Sequence, residues 1–406
     1  MLKNIIIIQD FAHVNGGNAN VSIQSAVELV HRGYHVVFFC GMSPIDYSLT
    51  QAGVDVRCVG KSDLISDGSA MSAFFWGLWD GIVYDSLKEV LCEFDPSDTL
   101  VHIHGWLKTL SPSIWKALST YKYKCVVTLH DYFLFCQNGG LYNFRSNSVC
   151  ELKPLSPSCL LCNCDSRSYF HKIWRDIRQY IQLKAVRKNS PFSVISIGCL
   201  NEKVSRDALS SYVDKWYRIQ NPIDVNRRDF VKITENQYYM MVSRVSEEKG
   251  IRMFCQVITE LNLKGCVIGD GPIRKQLSDK YPNIEFVGWT SGEQKDHLIR
   301  TKAKCLVYPS LWYEGSPLTT IELMSYGVPS IVSDGCAAAE QITDGKDGFL
   351  FKMGDREALK AALLKYEKSD LSVMQKYISE HFVAEDYSLQ THCDKLISAY
   401  TDILGN

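Results

Sequence analysis

Short apolar runs rich in β-branched residues recur along the chain, with longer polar and amphipathic stretches between them. Six of these runs fall in the first half, at residues 4–9, 35–40, 54–60, 99–105, 125–131 and 192–198. Six more follow, at residues 238–244, 264–271, 284–289, 304–310, 329–334 and 348–351. Strand-like runs that alternate with helical stretches are typical of parallel sheets covered by helices on both faces. The pattern predicts an α/β protein with two doubly wound, Rossmann-like domains in tandem.

The boundary between the two domains is expected within residues 219–229, because Asn221-Pro222 and the polar run behind it interrupt any regular element. We divide the chain into a first domain at residues 1–220, a second at 221–385 and a terminal helix at 386–406. Ligands of open parallel sheets bind at the carboxyl ends of the strands, so two facing domains form a cleft lined by strand-end loops. Site candidates therefore follow the apolar runs, as do Gly16, Gly17, His104, His130, Asp131, Arg244, Gly269, Gly271, Trp289 and Glu314.

The stretch YEGSPLTTIE, residues 313–322, carries two glutamates around a Gly-Ser-Pro corner. Ser316 is a good helix N-cap and Pro317 suits the first helical position, so a helix is predicted from Pro317 to Gly327. Glu314 then lies in the loop before the helix, and Glu322 lies inside it.

Arg244 and Lys249 follow a predicted strand at a spacing that lets both reach one anionic group. Each charge-assisted contact with a phosphate is worth roughly 1.5–3 kcal/mol. Together with Glu322 they indicate a nucleotide diphosphate, in which cations hold the pyrophosphate and a helical carboxylate accepts hydrogen bonds from ribose hydroxyls. Glu314 can reach the group beyond the phosphates, and the backbone of Gly315, Ser316, Pro317 and Leu318 offers a helix-start nest to that group.

The combination of Arg244, Glu248-Lys249-Gly250, Gly269-Asp270-Gly271-Pro272, Glu314 and Glu322 resembles the retaining glycosyltransferases of glycosyltransferase family 4, which have the GT-B fold. The resemblance covers nearly the whole chain, from the Gly16-Gly17 loop through residues 221–224 to a terminal helix near residues 387–404. In that family the terminal helix crosses back onto the first domain. The resemblance implies transfer of a sugar from a UDP- or GDP-linked donor to a glycan or lipid-linked acceptor, as in bacterial surface polysaccharide synthesis.

By this resemblance, Arg244 and Lys249 bind the donor diphosphate and stabilise the leaving group, while Glu322 holds the ribose. Glu314 contacts donor-sugar hydroxyls, and His104 approaches the reacting sugar from the opposite domain. The other donor-side residues are Gly16, Gly17, Gly269, Gly271, Trp289, Gly315, Ser316, Pro317 and Leu318, and the acceptor-side residues are His130 and Asp131. Retention in this family is usually explained by a donor phosphate oxygen that accepts the acceptor's proton, so neither a protein nucleophile nor a catalytic metal is expected.

The composition, with 406 residues, 46% hydrophobic and 22% charged, is ordinary for a globular protein of two domains. The net charge of −1 gives no electrostatic argument for a nucleic-acid partner. The opening MLKNIIIIQD is too short for a signal-peptide core, and no stretch approaches the ~18 apolar residues of a membrane helix. We therefore expect a cytoplasmic protein, with the inner face of the cytoplasmic membrane as a site of peripheral contact. Its 15 cysteines are expected to be mostly reduced and buried.

Five cysteines fall between residues 136 and 164, three of them in the segment CLLCNC. A CxxC pair with further cysteines nearby is typical of structural zinc, because the pair holds one edge of a tetrahedral ion. The predicted ligands, in an inserted loop, are Cys136, Cys150, Cys159 and Cys162. A redox-labile disulfide and unliganded thiols remain alternatives, and four thiolates would leave no open position for catalysis.

Two segments suggest a peripheral contact with a membrane. Residues 171–188 combine six basic residues with interleaved large apolar ones, a pattern that can lie on an anionic lipid surface. Residues 71–84 are aromatic enough to contact lipid or a lipid-linked acceptor. An ordinary core-facing helix and a buried segment are the alternatives.

Two other functions compete with the glycosyltransferase hypothesis. A retaining glycosidase would use Glu314 and Glu322 as its carboxylate pair, about 5 Å apart, and leaves Arg244 and Lys249 without a role. A zinc-bearing binding protein would present the basic helix to nucleic acid, against which the near-neutral charge and the donor motif argue.

Overall fold

Nine strands belong to the first domain of the computed structural model, which describes residues 1–61, 70–189, 191–224 and 229–405. They are β1 (Asn4–Phe11), β2 (His35–Met42), β3 (Asp55–Cys58), β4 (Thr99–Ile103), β5 (Cys125–Thr128), β6 (Tyr142–Asn143), β7 (Ser148–Val149), β8 (Phe192–Ser196) and β9 (Val213–Arg218). Strands β6 and β7 pair as a small antiparallel hairpin. The other seven form one parallel sheet in the order β3-β2-β1-β4-β5-β8-β9.

The second sheet contains six parallel strands. They are β10 (Tyr238–Val242), β11 (Lys264–Ile268), β12 (Ile284–Gly288), β13 (Ala303–Tyr308), β14 (Ser330–Ser333) and β15 (Gly348–Phe351). Their order is β12-β11-β10-β13-β14-β15, so the chain reverses direction across the sheet beside β10. Ligands of such sheets bind outside the carboxyl ends of the strands at this point of reversal.

Helices cover both sheets. Those of the first domain are α1 (Gly17–His31), α2 (Tyr47–Ala52), α3 (Ala70–Leu78), α4 (Gly81–Cys92), α5 (Ser113–Tyr121), α6 (Pro157–Leu161), α7 (Tyr169–Val186) and α8 (Cys199–Leu209). Those that follow are α9 (Ile251–Glu260), α10 (Arg274–Lys280), α11 (Gly292–Lys302), α12 (Leu318–Ser325), α13 (Arg356–Glu367), α14 (Leu371–His381) and α15 (Leu389–Leu404). Short 3₁₀ turns occupy Arg187–Asn189, Glu247–Lys249, Ala337–Gln341 and Ala384–Tyr387.

The first strand shows how sequence builds the two-sided core. Successive side chains of a strand point to opposite faces. Ile6 and Ile8 therefore enter the core shared with α4 and α5, while Ile5 and Ile7 enter the core shared with α1 and α15. Four consecutive isoleucines are thus all fully buried, as a central parallel strand requires.

The prediction of two doubly wound parallel sheets is confirmed, and each of the twelve apolar runs overlaps one of the strands. Strand β9 was missed because its sequence VDKWYR is largely polar and it lies at the edge of its sheet. The first sheet ends at Arg218 and the second begins at Tyr238, on either side of the expected boundary segment. The residue limits of the domains stay predictions.

The terminal helix α15 packs on the first domain, as expected. Leu396 and Tyr400 lie in the same core cluster as Ile5 and Ile7 of β1. Lys124 donates hydrogen bonds from Nζ to the carbonyl oxygens of Ile403, at 2.9 Å, and Leu404, at 3.1 Å. The chain therefore returns from the second domain to complete the first.

Helix α7 has the basic and apolar composition expected of residues 171–188, but its faces are arranged in an unexpected way. Lys172 is fully buried and pairs with Asp176 at 2.5 Å, and Arg178 is only 7% exposed. Ile177 and Tyr180 are instead 44% and 54% exposed. In the described part of the chain, no helix has both the length and the hydropathy needed to cross a bilayer.

Candidate active site

A cavity of about 580 Å³ opens at the carboxyl ends of β10, β11 and β12. Arg244 follows β10, Gly269 follows β11 and Trp289 follows β12, as their positions behind apolar runs predicted. Glu322, on α12, lines the same cavity. The structure thus brings together four of the predicted donor-side residues at the point where the order of the strands reverses.

Lys295 is a lining residue that the sequence analysis missed. Its Nζ lies 2.6 Å from Oε2 of Glu322, and both side chains are about one-fifth exposed. Lys295 comes from α11, which shares this end of the sheet with α12. The described lining residues therefore include two cationic side chains, Arg244 and Lys295, and three carboxylates, Glu293, Asp296 and Glu322. Of these carboxylates, Glu322 contacts Lys295 directly.

Arg244 remains largely accessible. Its side chain is 64% exposed, and Nη2 contacts Oε1 of Glu248 at 2.9 Å. Ser246 also donates to this carboxylate oxygen, at 2.6 Å. Glu248 thus anchors the guanidinium from one side and leaves most of it open to the cavity.

Lys249 and Glu314 form a separate, more deeply buried ion pair. Nζ of Lys249 lies 2.7 Å from Oε1 and 2.9 Å from Oε2 of Glu314. The hydroxyls of Tyr308 and Ser310 donate to the same carboxylate, at 3.0 and 2.9 Å. Of the described residues, those lining the cavity of Arg244 and Glu322 do not include Lys249 or Glu314. In the structure the ammonium group of Lys249 contacts Glu314, and its binding of one anionic group together with Arg244 stays a prediction.

The surroundings of Glu314 keep it charged. Burial alone would raise its pKa, but the ammonium of Lys249 and the hydroxyl of Ser310 stabilise the carboxylate, so the pKa of Glu314 lies below its ordinary value. Its backbone has a φ of 56°, in the left-handed region that non-glycine residues seldom adopt. Such strain is typical of sites whose geometry is set by function.

The helix behind Glu314 begins later than predicted. It starts at Leu318, and Pro317 occupies the N-cap position with an extended backbone, so Ser316 makes no cap hydrogen bond. The chain stays extended here because it lies against the first domain. A Cβ on Gly315 would approach the carbonyl oxygen of His130 to 3.0 Å. Gly315 thus meets the first domain, and Thr319 is the α12 residue nearest its start that lines the cavity.

Three glycines hold the strand-end loops of the second domain together. A Cβ on Gly250 would lie 1.8 Å from the carbonyl oxygen of Pro309. A Cβ on Gly269 would lie 2.0 Å from the carbonyl oxygen of Ser243, and a Cβ on Gly271 would lie 2.2 Å from that of Val245. Gly269 lines the cavity, whereas Gly271 serves this close packing. By contrast Gly16 and Gly17, at the start of α1, face open space.

A second cavity, of about 570 Å³, lies in the first domain. His104 directly follows β4, and His130 and Asp131 lie just beyond the end of β5. All three residues line this cavity. The imidazoles form a chain: His104 Nδ1 lies 2.9 Å from His130 Nε2, and His104 Nε2 lies 3.2 Å from His102 Nδ1. His102 is held in turn by the hydroxyls of Tyr400, at 2.6 Å, and Thr128, at 2.7 Å. The terminal helix thus supports the orientation of His104.

Burial keeps these histidines neutral. Desolvation lowers the pKa of His130 to about 3, and it lowers the pKa values of His102 and His104 well below their ordinary range. Nδ1 of His130 is buried and has no hydrogen-bond partner within the described residues. For Asp131, desolvation by the cavity walls raises the pKa to about 6. The neutral imidazoles can therefore exchange hydrogen bonds with hydroxyl groups, while the carboxyl group of Asp131 changes its charge near pH 6.

The two domains contact each other at the Glu314 loop. The hydroxyl of Tyr132, in the first domain, donates to the backbone oxygen of Glu314 at 3.0 Å. Glu340 of the second domain accepts hydrogen bonds from the backbone N–H groups of Cys199, at 2.7 Å, and Leu200, at the start of α8. The Lys249–Glu314 pair therefore lies next to a direct contact between the two domains.

The predicted zinc ligands do not assemble into a metal site. Cys136 donates to Asn138 at 3.3 Å, and Cys159 donates to Gln137 at 3.5 Å. Cys150 and Cys162 are partly exposed, and all four are free thiols. Within residues 1–61, 70–189, 191–224 and 229–405, no group of three or more histidine, cysteine or acidic side chains is placed to hold a metal ion. The zinc prediction thus has no support from this arrangement, and metal analysis of the purified protein checks it.

Residues 222–381 match the family model described as glycosyl transferases group 1. The glycogen synthase of Marinomonas sp. is 29% identical over 178 residues, which are 41% of this chain and 37% of that one. The UDP-Gal:alpha-D-GlcNAc-diphosphoundecaprenol alpha-1,3-galactosyltransferase of Escherichia coli is 27% identical over 183 residues, which are 41% of this chain and 46% of that one. The chain thus aligns with less than half the length of these relatives.

The crystal structure of Anabaena HepE in complex with UDP matches with a TM-score of 0.66 at 13% identity, over 99% of this chain and 100% of that one. The architecture, two facing α/β domains with a terminal helix that returns to the first, is the GT-B fold of glycosyltransferases. The match to the group 1 glycosyltransferases thus covers most of the second domain. The resemblance drawn from the motifs is confirmed, and the roles of the individual residues stay predictions.

Proposed function

We propose that the chain is a retaining glycosyltransferase that moves a sugar from a nucleotide-diphosphate donor to a glycan or lipid-linked acceptor in bacterial polysaccharide synthesis. The observation that carries the proposal is the cavity at the carboxyl ends of β10 to β12, where Arg244, Lys295 and Glu322 converge. Two cations and a carboxylate suit a pyrophosphate next to a ribose. The relative of known structure that binds UDP has the same fold, which supports this reading.

In the proposed donor complex, Arg244 contacts the diphosphate and Glu322 accepts hydrogen bonds from the ribose hydroxyls. Lys295, which already contacts Glu322, adds positive charge near the same phosphates. Trp289 is 79% exposed at the rim and offers its ring to the base. UDP and GDP donors are both compatible with this site.

The chemical step is assigned to the region between the cavities. Glu314, held by Lys249, contacts donor-sugar hydroxyls, and His104 approaches the sugar from the other side. The positive charge of Arg244 and Lys249 stabilises the leaving diphosphate as the glycosidic bond breaks. An oxygen of that diphosphate accepts the proton of the attacking hydroxyl, so the acceptor bonds to the face from which the diphosphate departs.

The glycosidase alternative is disfavoured by the placement of the two glutamates. Glu314 pairs with Lys249, Glu322 pairs with Lys295, and only Glu322 lines the donor cavity among the described residues. A retaining glycosidase needs both carboxyl groups across one scissile bond.

In the proposed reaction, cationic side chains carry out the charge stabilisation that a divalent metal ion would otherwise provide. Donor turnover should therefore persist in EDTA.

The acceptor is assigned to the first-domain cavity. Nδ1 of His130 and the carboxyl group of Asp131 are available for its hydroxyl groups. Beside this cavity, Phe75 is 61% exposed and Phe170 is 74% exposed. We assign these rings to a peripheral contact with the membrane that would carry a lipid-linked acceptor.

A screen of labelled UDP- and GDP-sugars for sugar release tests the proposal. The change Glu322→Ala should lower kcat/KM for donor hydrolysis roughly 10- to 150-fold, because a hydrogen bond to a charged group is lost. A matched control is Glu285→Ala, which removes the partner of Lys302 at 2.6 Å outside the cavity and should have little effect. Equal donor turnover in the parent and Glu322→Ala proteins would refute the assignment, and sugar release that ignores the nucleotide would point to a glycosidase.

A further inference from the structure

Arg178 is a buried cation that the proposed reaction does not use. It lies on α7 in the wall of the first-domain cavity and is 7% exposed. Its guanidinium lies 4.6 Å from the ring centroid of Trp174 and 6.0 Å from that of Phe133. Its hydrogen bond goes from Nη1 to the backbone oxygen of Leu107, at 3.1 Å. The side chain is therefore held in place by rings and one carbonyl group.

Among the described residues, nearby acidic side chains offset the charge of Arg178 only in part. Across the described residues it forms no ion pair, although two acidic residues line the same cavity. Asp10 is fully engaged, because its carboxylate accepts hydrogen bonds from the backbone N–H groups of the four residues 107–110. Asp131 accepts from the N–H of Phe133 at 3.0 Å. A buried charge without a partner is costly, so its retention points to an anion from outside the chain.

Among the described residues that line the first-domain cavity, cationic side chains outnumber acidic ones. Four cationic side chains line the cavity against two acidic ones, namely Lys108, Arg167, Arg175 and Arg178 against Asp10 and Asp131. Arg175 is neutralised by Asp165, at 3.2 Å. Burial and the nearby charge of Arg175 lower the pKa of Arg178 to about 9, although the charges of Asp10 and Asp131 act in the opposite direction.

Apolar surface continues from the charged wall to the outside. The rings of Phe74, Phe133, Phe170 and Trp174 line the cavity, and Phe170 is 74% exposed at its mouth. Ile173 and Ile177, on the outer face of α7, are 43% and 44% exposed. An anionic group bound at Arg178 would therefore have an apolar path leading away from it. A ligand that joins a phosphate to a hydrocarbon chain fits this arrangement.

We propose that Arg178 binds the phosphate or diphosphate group of a lipid-linked acceptor, with its hydrocarbon chain lying along the aromatic wall and the outer face of α7. This inference rests on the proposed function, since it makes the first-domain cavity the acceptor site. It adds a specificity-determining residue, Arg178, that recognises the phosphate of such an acceptor.

The test uses the full chain with saturating UDP, which fills the donor cavity so that only the first domain is probed. Farnesyl diphosphate is the probe, and its binding is followed by quenching of tryptophan fluorescence. Arg178→Met should weaken its binding roughly 10- to 100-fold, as expected for the loss of a charge-assisted contact with phosphate. Lys184→Met removes one charge from the exposed side of the same helix and should leave the affinity unchanged.

Two further probes identify the source of the phosphate. Farnesol, which lacks the phosphate, should bind the parent and Arg178→Met proteins equally. Inorganic pyrophosphate that competes as well as farnesyl diphosphate would overturn the lipid assignment in favour of a free phosphate. Equal affinity of the parent and Arg178→Met proteins for farnesyl diphosphate would overturn the proposal.

The folding of the variant supplies an independent measurement. Since Arg178→Met removes an uncompensated buried charge, it should unfold at a higher urea concentration than the parent when no ligand is present. Farnesyl diphosphate should raise the midpoint of the parent and not that of the variant. No step of this test requires sugar transfer, so its failure is distinguishable from a failure of the proposed function, which the donor screen detects.

Discussion

At the scale of single residues, the buried pair of Lys249 and Glu314 is the most constrained part of the site. The carboxylate receives the ammonium and two hydroxyl groups, while its own backbone adopts the left-handed conformation. Removing one partner of a buried ion pair is far more costly than removing both, because the remaining charge loses its compensation. The ion pair therefore fixes the orientation of Glu314, and loss of either partner is expected to lower the free energy of unfolding.

The change Lys249→Met should lower the free energy of unfolding by about 3–5 kcal/mol, since it leaves Glu314 buried without its counterion. The double change Lys249→Met with Glu314→Gln should recover most of that loss. Urea denaturation of the parent, both single variants and the double variant measures the coupling. Additive effects of the two single changes would contradict the described pairing.

A second residue-scale prediction concerns pH. The folded protein raises the pKa of Asp131 to about 6, so between its ordinary pKa and pH 6 the folded state binds more protons than the unfolded state. Stability contributed by this residue therefore falls as pH rises through that window. Asp131→Asn lacks this titration and keeps an oxygen for the N–H of Phe133. Relative to the parent, it should be more stable at pH 7 than at pH 4.

Urea denaturation at the two pH values checks the Asp131 prediction. Asp207→Asn, on the exposed side of α8, is the matched control and should show no such difference. An unchanged stability difference between parent and Asp131→Asn across this range would contradict the raised pKa.

The sequence predicts the positions of site residues that directly follow a strand. It does not predict which side chains those residues contact. Arg244, Gly269 and Trp289 could be placed at one sheet edge because each follows a parallel strand. The contact of Lys295 with Glu322 joins two helices 27 residues apart, so it depends on how those helices pack. The feature of the sequence that could have indicated Lys295 as a site residue is its position in the first turn of the helix that follows Trp289.

At the scale of elements, α7 shows the limit of pattern analysis. Its composition was read correctly as basic and apolar, but its periodicity does not say which face meets the domain. Asp176 neutralises Lys172, and Trp174 and Phe133 stack on Arg178, so the two basic side chains can be buried while the isoleucines face outwards. The tertiary contacts of the inserted loop decide this orientation.

Helix α15 permits a direct test of how far the second half of the chain stabilises the first domain. Tyr400 is fully buried and lies 2.6 Å from His102, in the histidine chain that reaches His104. Tyr400→Ala should lower the free energy of unfolding by about 3–5 kcal/mol, because it leaves a cavity in the first-domain core. Tyr400→Phe should cost about 1 kcal/mol through the hydrogen bond alone.

Lys395→Ala, on the exposed face of the same helix, is the control for the Tyr400 variants and should be nearly neutral. Chemical denaturation followed by tryptophan fluorescence compares the three. If Tyr400→Ala were no more destabilising than Lys395→Ala, the packing of α15 on the first domain would be wrong.

At the scale of the whole molecule, the two domains meet through a small number of defined contacts beside the cavities. Tyr132 reaches the backbone of Glu314, and Glu340 caps the start of α8 across the boundary. Two tandem sheets and their facing strand ends were predictable from the apolar runs. The contacts between the domains were not, because they involve loop residues such as Gly315 whose backbone conformation has no periodic signature.

The packing of α15 on the first domain has a consequence for folding during translation. Leu396 and Tyr400 fill a space between β1 and α1, which leave the ribosome long before them. During synthesis the first domain therefore exposes an apolar groove until the second domain and α15 have been translated. A chaperone that shields this groove, or early folding of the second domain, would protect the growing polypeptide from aggregation during that interval.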